Sequence, residues 1–166
     1  GSSYSSLGII LREYGRLSEA EISTRKAISL QPKLTEAYIN LGLILKELGK
    51  LNEARIFWEK AIQIAPEIEK NYFILAESLY QEGNYKLALK YLKGKKFGRS
   101  QSLYLSCLLS LNKESDFHDM ANQLLKIGIC NAEIGGIIEH ANIIFRTKYK
   151  SPFCEEAIKY ISFEKI

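Results

Sequence analysis

Displaced by 34 residues, the sequence matches itself. EYGRLSEA at 13–20 falls on ELGKLNEA at 47–54 and then on QEGNYKLA at 81–88, while RKAISLQP at 25–32 falls on EKAIQIAP at 59–66. A repeat of this length is one supersecondary unit whose apolar face can be covered only by its neighbours, so the chain has to build its core by stacking. Gly15, Gly49 and Gly83 punctuate the middle of successive units, and Pro32 and Pro66 close the first two, which are helix stop signals at helical-hairpin spacing. The period predicts an all-α stack of helical hairpins.

Each hairpin places residues of fixed size at fixed positions. The first holds Tyr4, Leu7, Gly8, Leu11, Ala20, Thr24, Ala27 and Pro32, and the second holds Tyr38, Leu41, Gly42, Leu45, Ala54, Trp58, Ala61 and Pro66. The third keeps Tyr72, Leu75, Ala76, Leu79, Ala88 and Leu92, but Lys95 stands at the next small position and no proline follows. This pattern resembles the tetratricopeptide repeat (TPR) family. The resemblance implies a right-handed superhelical stack of antiparallel helix pairs, A and B, a TPR-like α-solenoid. It also implies that Gly8 meets Ala20 and Gly42 meets Ala54 where the two helices cross. Glycine inside a helix costs about 1 kcal/mol against alanine, so its presence there implies close packing.

The expected organisation is a TPR array over 4–130, in units 4–34, 38–68, 72–99 and 102–130, capped by a divergent fifth helical pair over 131–166. In the fourth unit Tyr104, Cys107, Leu108 and Leu111 align with helix A, and Phe117, Met120, Leu124 and Ile127 with helix B. Large Leu108 and Met120 then occupy both small positions, so this pair is expected to stand further apart. GKKFGRS at 94–100 reads as a loop. A helix is expected from about Ala132 to Lys148, and a last one begins at Ser151 with Pro152, Glu155 and Glu156 in its first turn. Gly1, Ser2 and Ser3 read as the remnant of a cleaved expression tag, and the chain as an excised piece of a longer protein.

Composition narrows the class. With 46% hydrophobic and 25% charged residues the chain is a folded one rather than a disordered one. Three cysteines, an odd number, suit a reducing compartment, so a cytoplasmic location is expected. No apolar run approaches the roughly 18 residues of a membrane span, so no membrane insertion is expected. His118, His140, Cys107, Cys130 and Cys154 fall at no metal-ligand spacing, and no nucleophile elbow or phosphate loop is present. Neither catalysis, a metal nor a cofactor is therefore expected. Gly135 and Gly136 read as close helix contacts.

The net charge of +4 is modest, yet no acid occurs from Gly83 to Lys113, a stretch that holds Lys86, Lys90, Lys93, Lys95, Lys96 and Arg99 among Tyr85, Tyr91, Phe97 and Tyr104. A nucleic-acid or anionic-membrane surface is conceivable there. The simpler reading is preferred: Lys86, Lys90 and Lys93 share one solvated helix face, and Lys93, Lys95 and Lys96 complement that helix's negative C-terminal end.

By the same resemblance, partners bind the concave surface lined by A helices, at the second, fifth, ninth, twelfth and thirteenth positions of each unit. The residues carried over are Ile9, Arg12 and Glu13, then Glu36, Ile39, Leu43, Lys46 and Glu47. Lys70, Phe73, Glu77, Tyr80 and Gln81 follow, then Ser102, Leu105, Leu109, Asn112 and Lys113. Relatives that clamp the acidic tail of chaperones need five polar residues. Asn40 and Lys70 match, but Ser5, Ile9 and Ile74 stand where Lys, Asn and Arg belong, so a carboxylate pair cannot be held that way.

What remains is an apolar stripe rimmed by charges, suited to a helix or an extended segment of another protein. The alternative reading is that some of these side chains pack against neighbouring A helices or the fifth unit. Trp58 belongs to the inter-helix core. The function expected is a protein-interaction scaffold or adaptor, with a self-associating module, a homodimer for example, as the alternative. NAEIG at 131–135 and SPFCEEAIKYI at 151–161 are similar to segments leading into iron and 2-oxoglutarate oxygenase domains, so the non-catalytic TPR region of such an enzyme is a further alternative.

Overall fold

The computed structural model describes residues 1–96, 98–128 and 132–146. Among them lie nine helices and no strand: α1 (Ser2–Glu13), α2 (Leu17–Leu30), α3 (Thr35–Glu47), α4 (Leu51–Ile64), α5 (Glu69–Gln81), α6 (Tyr85–Leu92), α7 (Gly98–Ser110), α8 (Glu114–Lys126) and α9 (Ala132–Ile144). The chain divides into two compact bodies, with the division inside α5 between Ser78 and Leu79. The expected helix from Ser151, together with Cys130, Cys154, Phe97, Lys148 and the segment 151–161, lies outside the described residues. Helix α1 begins at Ser2, inside the stretch set aside as a tag remnant, and α7 begins at Gly98, inside the expected loop.

In the N-terminal body α1 packs on α2, α3 on α4, and α2 on α3. Small residues permit the close crossings: Ala20, Ala27, Ala37, Ala54 and Ala61 are fully buried. A Cβ added to Gly42 would run into the indole of Trp58, and one added to Gly8 into the hydroxyl of Thr24, with the Ala20 carbonyl oxygen at 3.4 Å. The nearest atoms to a Cβ at Gly42 thus all belong to Trp58, where the sequence pattern had placed Ala54. Trp58 fills the space that the missing side chain leaves, is 1% exposed, and donates its Nε1–H to the Ile39 carbonyl at 3.3 Å. Thr24 does the same on a smaller scale, donating to Ala20 O at 2.8 Å.

Each A-to-B turn carries one backbone signature. Gly15 N–H donates to Arg12 O and Arg16 N–H to Leu11 O, Gly49 to Lys46 and Lys50 to Leu45, and Gly83 to Tyr80 and Asn84 to Leu79, all at 2.8–3.0 Å. The three glycines have φ of +74°, +77° and +77°, the left-handed region where a side chain is strained.

In the C-terminal body the same signature appears at Asn112, which donates to Leu109 O at 2.9 Å while Lys113 donates to Leu108 O at 2.9 Å. Asn112 has φ +54°, a conformation asparagine tolerates better than most residues. These bonds make Leu108 the counterpart of Leu11, Leu45 and Leu79, where sequence matching had placed Leu111. The fourth repeat is thus registered three residues earlier than expected. Its eighth, twentieth and twenty-fourth positions are Leu105, Phe117 and Ala121, which join Leu108, Leu124, Ile134, Ile138 and Ala141 in one core. α7 packs on α6, α8 and α9, and the large pair expected at its crossing with α8, Leu108 and Met120, is replaced in this register by Leu105 and Phe117.

Candidate functional site

Two stretches of A-helix surface carry the residues singled out from the sequence. In the N-terminal body α1 and α3 lie side by side, and the Arg12 guanidinium meets the Glu47 carboxylate at 3.4 Å. Asn40 Nδ2 donates to Ser5 Oγ at 3.2 Å, so the amide that matched the carboxylate clamp is already engaged within the fold. Around these pairs Ile9, Leu43, Lys46 and Glu77 are half-buried, while Glu36, Glu47 and Lys70 are exposed. Ile39 and Phe73 are 9% and 8% exposed, so they present little surface to a partner.

In the C-terminal body a cavity of about 480 Å³ opens between α7 and α9. Tyr80, Ser106, Leu109 and Ser110 line one side, and Gly136, Ile137, His140 and Ile144 line the other. In the register set by the Asn112 turn, Ser106, Leu109 and Ser110 are the ninth, twelfth and thirteenth positions of their repeat, and Tyr80 is the twelfth of the preceding one. Leu105, expected in the groove, is instead fully buried in the core, because the three-residue shift moves it to the helix-crossing position. Asn112 and Lys113, also expected there, belong to the turn. Ser106 and Ser110 were missed for the same reason, and the signal that could have found them is Asn112 standing in for the turn glycine. Tyr80 packs on Tyr85 with ring centroids 5.2 Å apart, which stiffens one edge of the cavity.

The reactive side chains among the described residues do not assemble a centre. Among the described residues no group of three or more His, Cys, Asp or Glu is placed to hold a metal. Cys107 is fully buried, and burial pushes its thiol up to about 12, far from the thiolate a nucleophile needs. His118 was expected among polar neighbours; its ring instead meets Phe117 and Phe145 edge-on at centroid distances of 5.8 and 5.7 Å, with Glu114 at 3.7 Å. His140 is exposed at the mouth of the α7–α9 cavity. No helix among the described residues is long and apolar enough to cross a membrane.

Residues 35–68, the α3–α4 hairpin with its Gly42–Trp58 crossing, match the family model of the tetratricopeptide repeat. That hairpin is a tetratricopeptide repeat. Solved structures of TPR proteins share its fold. A PilF structure from Pseudomonas aeruginosa is 22% identical over 82% of this chain and 65% of that one, with a TM-score of 0.60. YrrB, described as a TPR protein with an unusual peptide-binding site, is 18% identical over 90% of this chain and 79% of its own, with a TM-score of 0.67. A MamA variant from RS-1 is 14% identical over 86% and 83%, with a TM-score of 0.70. The chain therefore spans less than two thirds of the PilF chain and about four fifths of the others. No curated protein sequence matches it. At these identities the likeness concerns the fold.

Proposed function

We propose that the protein is an interaction scaffold that binds a peptide or partner segment on its A-helix surfaces. The observation that carries this reading is the α7–α9 cavity: apolar Leu109 and Ile137 on its walls, an aromatic ring at its edge, and polar Ser106, Ser110 and His140 around them. An apolar depression with a few converging polar groups suits side-chain anchoring. In the N-terminal body, half-buried Ile9 and Leu43 beside the Arg12–Glu47 pair and Lys46 supply a second strip of the same character. The likeness to YrrB supports a peptide ligand, and the odd cysteine count supports a cytoplasmic setting.

A peptide-display selection on the immobilised chain tests the proposal. Selected sequences should share apolar anchors and lose binding to a Tyr80→Ala/Leu109→Ala variant of unchanged helicity. Selection of no common motif, or retention of binding by that variant, removes the α7–α9 cavity as the site. A second reading, self-association, is favoured by Tyr4, Leu7 and Ile10, which are 42%, 43% and 49% exposed along α1. Light scattering across a dilution series distinguishes it, since a concentration-independent monomer excludes a dimer.

A further inference from the structure

The acid-free basic stretch read from the sequence as a solvated face has a different surrounding in the fold. In the C-terminal body a cleft of about 720 Å³ runs between α6 and α8. It shares no lining residue with the α7–α9 cavity. One wall carries Lys86, Lys90 and Lys93, all exposed. The floor is Leu89, Tyr104, Leu111 and Met120, each half-buried, and Leu89, Tyr104 and Met120 rest on the core beneath. The far wall carries Asp116 and Asp119. Of these two acids Asp116 is engaged by Lys113 Nζ at 2.9 Å.

This arrangement concentrates like charge along an apolar trough. Lys86 and Lys90 are one helical turn apart on α6 and Lys93 follows its end, so three ammonium groups span roughly 10 Å along the cleft. The cleft continues into a smaller cavity of about 260 Å³ that shares Tyr104, Met120 and Gln123, and Lys95 and Lys96 line it. Lysines held in a row beside a half-buried apolar floor call for a ligand that brings carboxylates at matching spacing and apolar side chains between them.

We propose that the α6–α8 cleft is a second docking surface, which takes an acidic amphipathic helix from a partner protein. Carboxylates spaced i, i+4, i+7 on that helix face Lys86, Lys90 and Lys93, and its apolar side chains cover Leu89, Tyr104 and Met120. A nucleic-acid strand suits the cleft less well. Asp116 and Asp119 on the far wall oppose a polyanion, and among the described lining residues Tyr104 is the one aromatic stacking surface, beside aliphatic Leu89 and Leu111 and the Met120 thioether.

The test uses the full chain and a labelled synthetic helix of about 16 residues with Glu at i, i+4, i+7 and Leu between, titrated by fluorescence anisotropy. Binding should weaken as salt rises. It should weaken about tenfold or more with a Gln-for-Glu peptide, and again with the Lys86→Glu/Lys90→Glu variant. The milder Lys86→Gln/Lys90→Gln variant serves should charge reversal disturb folding, and circular dichroism and melting establish that each variant is native. The Tyr80→Ala/Leu109→Ala variant should bind the probe as the parent does, which separates this cleft from the α7–α9 cavity. The proposal is overturned by equal affinity for the Glu and Gln peptides, by unchanged affinity in a natively folded lysine variant, or by no binding of the Glu peptide. Tighter lysine-dependent binding of a single-stranded RNA oligonucleotide overturns it in favour of nucleic acid.

Discussion

The two bodies close the same hairpin with opposite distributions of volume. In the N-terminal body the eighth and twentieth positions are small, Gly8 with Ala20 and Gly42 with Ala54, and the twenty-fourth is larger, Thr24 or Trp58. In the fourth repeat, within the C-terminal body, the eighth and twentieth are Leu105 and Phe117, and the twenty-fourth is Ala121. Each of these residues is buried. What the repeat requires is that the crossing be filled to native density, with the large and small members free to exchange places. The surfaces differ too. Arg12, Arg16, Arg25 and Lys50 of the N-terminal body are all paired with carboxylates, whereas the Lys86, Lys90 and Lys93 wall of the C-terminal body has no acid on its own side of the cleft.

Five substitutions sharpen or break this contrast. Trp58→Ala empties the largest buried side chain of the N-terminal body and should cost about 3–5 kcal/mol in urea denaturation; a loss under about 1 kcal/mol would mean the crossing is not filled as described. In the C-terminal body Leu105→Ala should cost about 2–5 kcal/mol, while Leu109→Ala, half-exposed, should be far milder. Equal effects at 105 and 109 would return the fourth repeat to the register expected from sequence.

Gly42→Ala drives a methyl into an indole pinned by its bond to Ile39 O, and about 1–3 kcal/mol of overpacking should appear as a lower melting temperature. A stabilised variant would contradict the close crossing. The smallest effect belongs to Glu21, which accepts from Arg25 at 2.9 Å and Lys50 at 3.2 Å. Partial burial pushes its carboxyl up, but those two partners outweigh burial and leave it below its ordinary value. Its contribution is therefore complete above the ordinary carboxylate range and is lost as pH falls through the depressed value. Glu21→Gln should cost under about 1 kcal/mol at neutral pH, shrinking toward zero in acid; a pH-independent difference would show that charge plays no part.

Legibility along the chain tracked these same residues. Helices α1 to α5, their turns at Gly15, Gly49 and Gly83, and the burial of Trp58 were readable because each crossing is marked by glycine or alanine, whose role does not depend on what lies across from it. The α7–α8 register was not readable. Once Leu105 and Phe117 replace the small pair, a leucine every three or four residues satisfies several alignments equally well, and helical periodicity cannot choose among them. Ile39 and Phe73 were misjudged for a related reason: they were carried over by position, and position does not tell how deeply a neighbouring helix covers a side chain.

Sequence alone determined the period, the all-α class and the hairpin as the building unit, because each follows from residue sizes at intervals counted along one chain. Tertiary structure decided which leucine faces the crossing in the fourth repeat, that Asn40 is engaged by Ser5, and that three lysines border an apolar cleft instead of open water. Those outcomes depend on atoms brought together from helices far apart in the chain, and a one-dimensional pattern holds no distance between them.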